Sequence, residues 1–200
     1  MHPAALTDDA LLAQCDLGRG RASGPGGQHR NKVETAVVLT HRPTGVRAQA
    51  SERRSQVENK RVALRRLRLS LATEFRTAPP SPSGKGSVSN ASRGKGPVPP
   101  SPTGKGAGGS GVLDSLSACS DLWRSRRQGS KIVCNPGHRD FPALLAEALD
   151  AIANAGWQPA PAAKRLGVST SQLIKLVKDH PPGFEKWNTE RSHCRLHSLK

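Results

Sequence analysis

Tyrosine is missing from this 200-residue sequence, and aromatic residues of every kind make up only 3% of it. So few large flat side chains exclude one extensive core, leaving a single small domain or two joined by a linker. No apolar run approaches the ~20 residues that a membrane-spanning helix needs. Residues 1–17 include Asp8 and Asp9 and have neither an Arg-rich, acid-poor character nor an apolar signal core, so a cytoplasmic address is expected. The four cysteines (Cys15, Cys119, Cys134, Cys194) form no CxxC pair. Cys134-x3-His138 and His193-Cys194 lack a second pair at zinc-site distance, so reduced thiols and no bound metal are expected. Acid is scarce too. The formal net charge is +16 and the sequence pI about 10.9, which favours a polyanionic partner through counterion release.

Glycine (20) and proline (16) are plentiful and concentrate in the middle of the chain. Pro79-Pro80-Ser81-Pro82-Ser83-Gly84-Lys85-Gly86 nearly repeats as Pro99-Pro100-Ser101-Pro102-Thr103-Gly104-Lys105-Gly106. With few apolar side chains, ordering this stretch would cost backbone entropy that burial cannot offset. Residues 77–111 therefore read as a disordered basic linker. Its Gly-Lys-Gly pieces lack the strand, the spacing and the Ser/Thr of a phosphate loop.

On either side of the linker the pattern is regular. Val33, Ala36, Val37, Val38 and Leu39 form a run rich in β-branched residues, followed by a turn at residues 41–45 and a second short strand from Val46 to Ala50. This is a hairpin. Ser55-x-x-Glu58 reads as a capping box. The helix it opens places Val57, Leu64, Leu67, Leu71 and Phe75 on an apolar face, and Lys60, Arg61, Arg65, Arg66 and Arg68 on an outward basic one. After the linker, Asp140 is expected to cap a helix with the stripe Leu144, Leu145, Ala148, Leu149 and Ile152, ending near Gly156. Ala162 to Leu166, a turn at Gly167-Val168, and Ser169 to Lys178 have helix-turn-helix spacing. The predicted fold class is α+β: a short sheet on one long helix (1–76), the linker (77–111), and a small all-α helix-turn-helix-like module (112–200).

The stretch from Arg21 to Lys32 carries the chemistry. Gly24, Gly26 and Gly27 allow backbone conformations that side-chained residues avoid, so main chain can approach a ligand closely. Gln28 adds a donor and an acceptor but nothing that titrates. Such a loop is ill suited to acid–base chemistry of its own and well suited to placing a water and a backbone donor against an ester carbonyl.

Gly26-Gly27-Gln28-His29-x-Asn31, then Thr35-Ala36-Val37, Thr40-His41-x-Pro43-Thr44-Gly45 and Glu52-Arg53-x-Ser55-Gln56-x-x-Asn59-Lys60, together resemble the catalytic (GGQ) domain of class I peptide chain release factors. The resemblance covers residues 16–76 in order; Arg30 departs from the apolar residue usual there. It implies that the loop enters the peptidyl transferase centre, where the backbone N–H of Gln28 stabilises charge on the attacked ester and its side chain excludes nucleophiles larger than water. Gly26 and Gly27 would permit the approach. Arg21, Lys32, Arg53, Arg54, Lys60 and Arg61 become candidate phosphate contacts on large-subunit rRNA. The implied partners are the ribosome and peptidyl-tRNA, engaged by a monomer without a cofactor.

About fifteen residues precede the domain, and nothing after it looks like a codon-reading domain. A short, codon-independent factor that rescues stalled ribosomes is therefore expected, with the basic linker in the mRNA channel. The C-terminal helix-turn-helix-like module is expected to dock on RNA or the ribosome, with DNA binding or a structural cap as alternatives. The alternative for the whole chain is a non-catalytic RNA- or DNA-binding protein.

Overall fold

The computed structural model describes residues 2–20, 35–76 and 119–200. A 3-10 turn at Pro3–Ala5 leads into helix α1 (Asp8–Ala13), which Thr7 caps by accepting the N–H of Ala10. Three strands follow, β1 (Cys15–Gly20), β2 (Ala36–His41) and β3 (Arg47–Ala50), in an antiparallel sheet with β2 central. The register pairs Leu17 with Leu39 and Leu39 with Ala48, so Leu39 and Val37 turn one face inward. The hairpin expected from the sequence is β2–β3, and its tight turn uses Gly45 at φ 71°. Strand β1, which sequence alone did not signal, completes the sheet.

Helix α2 (Gln56–Glu74) packs on β2 and β3 through Ala63, Leu64, Leu67, Leu71 and Ala72. Two expectations fail here. Ser55 is exposed and makes no capping hydrogen bond; the side chain of Asn59, one turn inside the helix, binds the preceding backbone instead. Val57 is 62% exposed, whereas Arg68 is buried. The reason is a second partner for the helix. Arg68 Nη1 donates to the Ala4 carbonyl at 2.7 Å and Nη2 pairs with Asp8 at 2.7 Å, clamping the N-terminal turn to α2.

The remaining elements are α3 (Asp121–Arg126), a short hairpin of β4 (Arg127–Gln128) and β5 (Lys131–Ile132), α4 (Phe141–Asn154), α5 (Pro159–Leu166), α6 (Thr170–Lys178) and α7 (Pro181–His193). Helix α4 is apolar almost all round. A helix of that kind must be surrounded, and α4 touches α2, α5, α6 and the N-terminal turn. The buried core therefore runs without a break from the sheet through α2 to the C-terminal helices. Asp140 precedes α4 in αR geometry and makes no cap bond, because Arg126 holds its carboxylate at 2.6 Å. The helix stops near Gly156 as expected, with that glycine at φ 62°.

Three histidines are held neutral. Burial pushes His2, His41 and His180 below the ordinary imidazole range. The hydrogen bonds of the first two agree. His2 Nδ1 accepts the Ala4 N–H at 3.0 Å while Nε2 donates to the Phe75 carbonyl at 3.2 Å. His41 Nε2 donates to Gln14 Oε1 at 3.0 Å, leaving Nδ1 to accept from the Thr44 hydroxyl at 2.7 Å. Because their folded pKa values lie below the unfolded value of ~6.5, the unfolded chain takes up protons first as pH falls. Stability is then full above about pH 7 and declines progressively below about pH 6.5. Urea midpoints at pH 7.5, 6.0 and 5.0 are expected to fall in that order. Replacing His41 with Gln should flatten the fall.

Candidate functional site

Strands β1 and β2 end side by side, with Gly20 paired to Ala36. Whatever lies between leaves the sheet and returns to it at one place. That connection holds Arg21, Gly26, Gly27, Gln28 and Lys32, which lie outside the described residues, as does the linker at 77–111. What the structure describes is the root to which the connection is anchored.

The root is organised by Asn59, which is fully buried. Its Nδ2 donates to the carbonyl of Thr35 at 2.7 Å and to that of Arg53 at 2.8 Å. Its Oδ1 accepts the Arg53 N–H at 2.9 Å. Two carbonyls and one N–H around one amide fix which end is oxygen and which nitrogen. One side chain thus joins the returning end of the connection, the segment entering α2, and α2 itself.

Around this anchor the four described candidates from the sequence fall together. Arg53 and Arg54 lie in the segment leading into α2, and Lys60 and Arg61 in its first two turns. Arg53, Arg54 and Arg61 are exposed, Lys60 is half-buried, and none of the four has an ion-pair partner among the described residues. The positive end of the helix dipole adds to their field. Arg66 is different. It pairs with Glu52 at 2.6 Å and donates to the Gln49 carbonyl at 2.7 Å, and the same guanidinium holds the Glu52 carboxyl below the usual range. It braces the exit of β3 against α2 and is not a free cation.

Sequence reasoning missed two members of this group. Asn59 stood out only as part of a motif, although a small amide inside an otherwise Lys/Arg/Leu helix signals a local backbone task. Arg19, exposed next to the last residue of β1, adds a cation at the outgoing side of the connection. The chemistry available to such an arrangement is anion binding beside the point where the connection rejoins the sheet. Among the described residues no group of side chains could hold a metal ion.

With this geometry in place, residues 13–94 match the family model of the RF-1 domain. The chain is therefore similar, over that stretch, to the domain class that the sheet, the long helix and the loop root already outline. The similar curated proteins are peptide chain release factors. Peptide chain release factor 1 of Ureaplasma parvum is 55% identical over 51 residues, 26% of this chain and 14% of that protein. The chloroplastic peptide chain release factor PrfB1 of Arabidopsis thaliana is 55% identical over 56 residues, 28% of this chain and 12% of its own length. Peptide chain release factor 2 of Variovorax paradoxus is 58% identical over 48 residues, 24% of this chain and 13% of its own. The chain thus aligns with about one seventh or less of the length of these relatives. No helix among the described residues is long and apolar enough to cross a membrane.

Proposed function

We propose that this chain hydrolyses the ester of peptidyl-tRNA on the ribosome, with Gly26, Gly27 and Gln28 presented to the peptidyl transferase centre. The observation that carries the reading is the Asn59 anchor: one buried side chain holds the returning end of the motif-bearing connection at Thr35 by one hydrogen bond, and ties it to the segment entering α2 at Arg53 by two more. Water attacks the ester carbonyl and the bond to the tRNA 3′ oxygen breaks; one proton of the water passes to that oxygen, which leaves as the hydroxyl, the other passes to solvent, and the peptide leaves as its carboxylate. The Gln28 N–H stabilises the oxyanion of the tetrahedral intermediate, and the Gln28 side chain leaves room for water alone. A donor of this kind is worth ~10²–10³ in rate. Arg21, Lys32, Arg53, Arg54, Lys60 and Arg61 neutralise phosphates of large-subunit rRNA. No cofactor takes part. The chain works as a cytoplasmic monomer, with the basic residues 77–111 in an empty mRNA channel, so that stalled ribosomes rather than stop codons are its substrate.

Ribosomes carrying labelled peptidyl-tRNA on a truncated mRNA, compared with ribosomes holding a stop codon in the A site, test this. Release on the truncated message is expected. Release confined to the stop codon would replace rescue by termination. A second reading, a non-catalytic nucleic-acid binder, draws on the helix–turn–helix spacing of α5 and α6; it requires ribosome binding without release on either complex.

A further inference from the structure

Helices α5 and α6 meet at a turn that is held from behind. Gly167 closes α5 in the left-handed region at φ 66°, and Ser169 caps α6 by accepting the Gln172 N–H at 3.3 Å. The last carbonyls of α5 are taken by the preceding segment. Trp123 Nε1 donates to Leu166 at 2.9 Å and Arg127 Nη1 to Gly167 at 3.2 Å. The Ser169 N–H in turn donates to the Ser130 carbonyl at 2.9 Å, so the tip of the β4–β5 hairpin sits against the start of α6. Leu173, Leu176 and Val177 bury one side of α6. Ser171, Lys175 and Lys178, spaced four and three residues apart, form a single exposed stripe on the other. Lys131, also exposed, follows Ser130 in strand β5, which packs against α6. Neither α6 nor the hairpin contains an acidic residue; Asp179 follows at the C-cap of α6.

We infer that this stripe, Lys131 with Ser171, Lys175 and Lys178, is a second docking surface, for the phosphate backbone of structured RNA. The chemistry favours backbone over bases. Reading a DNA major groove needs paired donors and acceptors at several positions, from Arg, Asn or Gln. Here Gln172 is the sole amide on the helix and is half-buried, while lysines and serine hydroxyls are suited to phosphate oxygens. RNA is chosen over DNA because the surface is carried on the body packed against α2. Arg76 pairs with Asp150 at 3.5 Å, and Arg65 Nη2 donates to the Pro136 carbonyl at 3.1 Å. A chain whose first domain sits on rRNA carries this stripe to the ribosome with it, where the phosphate backbone at hand is that of structured RNA. That last step rests on the ribosomal function proposed above.

The test is fluorescence anisotropy of the full chain with an RNA duplex of about 20 base pairs and the DNA duplex of the same sequence, over a range of salt. The double variant Lys131→Glu/Lys175→Glu is used because it leaves Lys178 in its 5.4 Å contact over the Phe184 ring. It should bind the RNA duplex at least about 10-fold more weakly, with a salt slope shallower by about two, one for each phosphate no longer neutralised. The matched change Arg139→Glu/Lys200→Glu, at two exposed residues away from the stripe and outside the proposed rRNA and mRNA contacts, controls for net charge. Equal weakening by both variants would overturn the proposal, as would a roughly 10-fold preference of the wild type for DNA. Gln28→Ala is expected to bind the duplex as the wild type does, so loss of hydrolysis and loss of docking are read separately.

Discussion

Replacing Asn59 with leucine, a side chain of similar size, is expected to destabilise the protein by about 3 kcal/mol and to lower peptide release further than the loss of folded protein explains. The substitution keeps the volume and removes the chemistry. The Thr35 carbonyl, the Arg53 carbonyl and the Arg53 N–H all lose their Asn59 partner at a site where that side chain has no exposure. Each buried backbone group left unpaired costs about 1–3 kcal/mol, and partial access of water to the rim reduces the total. Release falls further because Thr35 and Arg53 are then free to move, and a loop misplaced by about 1 Å can cost 10²-fold in rate. Asn59→Asp sharpens the test. Its carboxylate accepts from Arg53 N–H but faces two carbonyl oxygens, so its folded pKa is raised. The stability gap between this variant and wild type should narrow as pH falls through that value, against the histidine-driven decline that both proteins share. Urea unfolding at pH 7.5 and 5.0, alongside release at matched folded concentration, checks both statements. Wild-type stability and release in Asn59→Leu would show that this side chain anchors nothing.

Trp123→Ala is expected to cost about 3–5 kcal/mol, by cavity formation and an orphaned carbonyl together. Trp123 is completely buried, and its Nε1–H is the partner of the Leu166 carbonyl at the end of α5. The α5–α6 turn depends on that bond, so the near-ultraviolet signal of the C-terminal helices should be lost at lower temperature. Trp123→Phe keeps most of the volume and drops the hydrogen bond; about 1–2 kcal/mol is expected. Equal effects from the two variants would show that packing plays no part, contrary to complete burial. The comparison is made by thermal unfolding of full chains.

Much of the first domain was legible in the sequence because its signals are local. Alternating Val37, Leu39 and the turn before Val46 specify a hairpin, and the Leu64, Leu67, Leu71 spacing specifies a helix face. What escaped depends on partners far away in the chain. Strand β1 is mostly polar or glycine (Asp16, Gly18, Arg19, Gly20), so it forms by pairing with β2 and not by its own pattern. Arg68 looked like an outward cation until Ala4 and Asp8, 64 and 60 residues earlier, supplied its acceptors. Ser55 and Asp140 have capping chemistry in sequence, yet Ser55 is exposed and makes no cap bond although its backbone is extended, and Asp140 lies in αR geometry with its carboxylate held by Arg126. The site itself divides the same way. The motif at Gly26, Gly27 and Gln28 is visible only as sequence, whereas the role of Asn59 at its root emerges only from three distances.

Peptide release by wild type and by Gln28→Ala, on ribosomes stalled on a truncated mRNA, tests the central reading most directly, with ribosome binding measured in parallel. The expected result is a release rate at least about 100-fold lower for Gln28→Ala with binding unchanged: the backbone N–H donor remains, so the loss measures the side chain's placing of the attacking water. Equal release by the two proteins, or binding without release by the wild type, would contradict it.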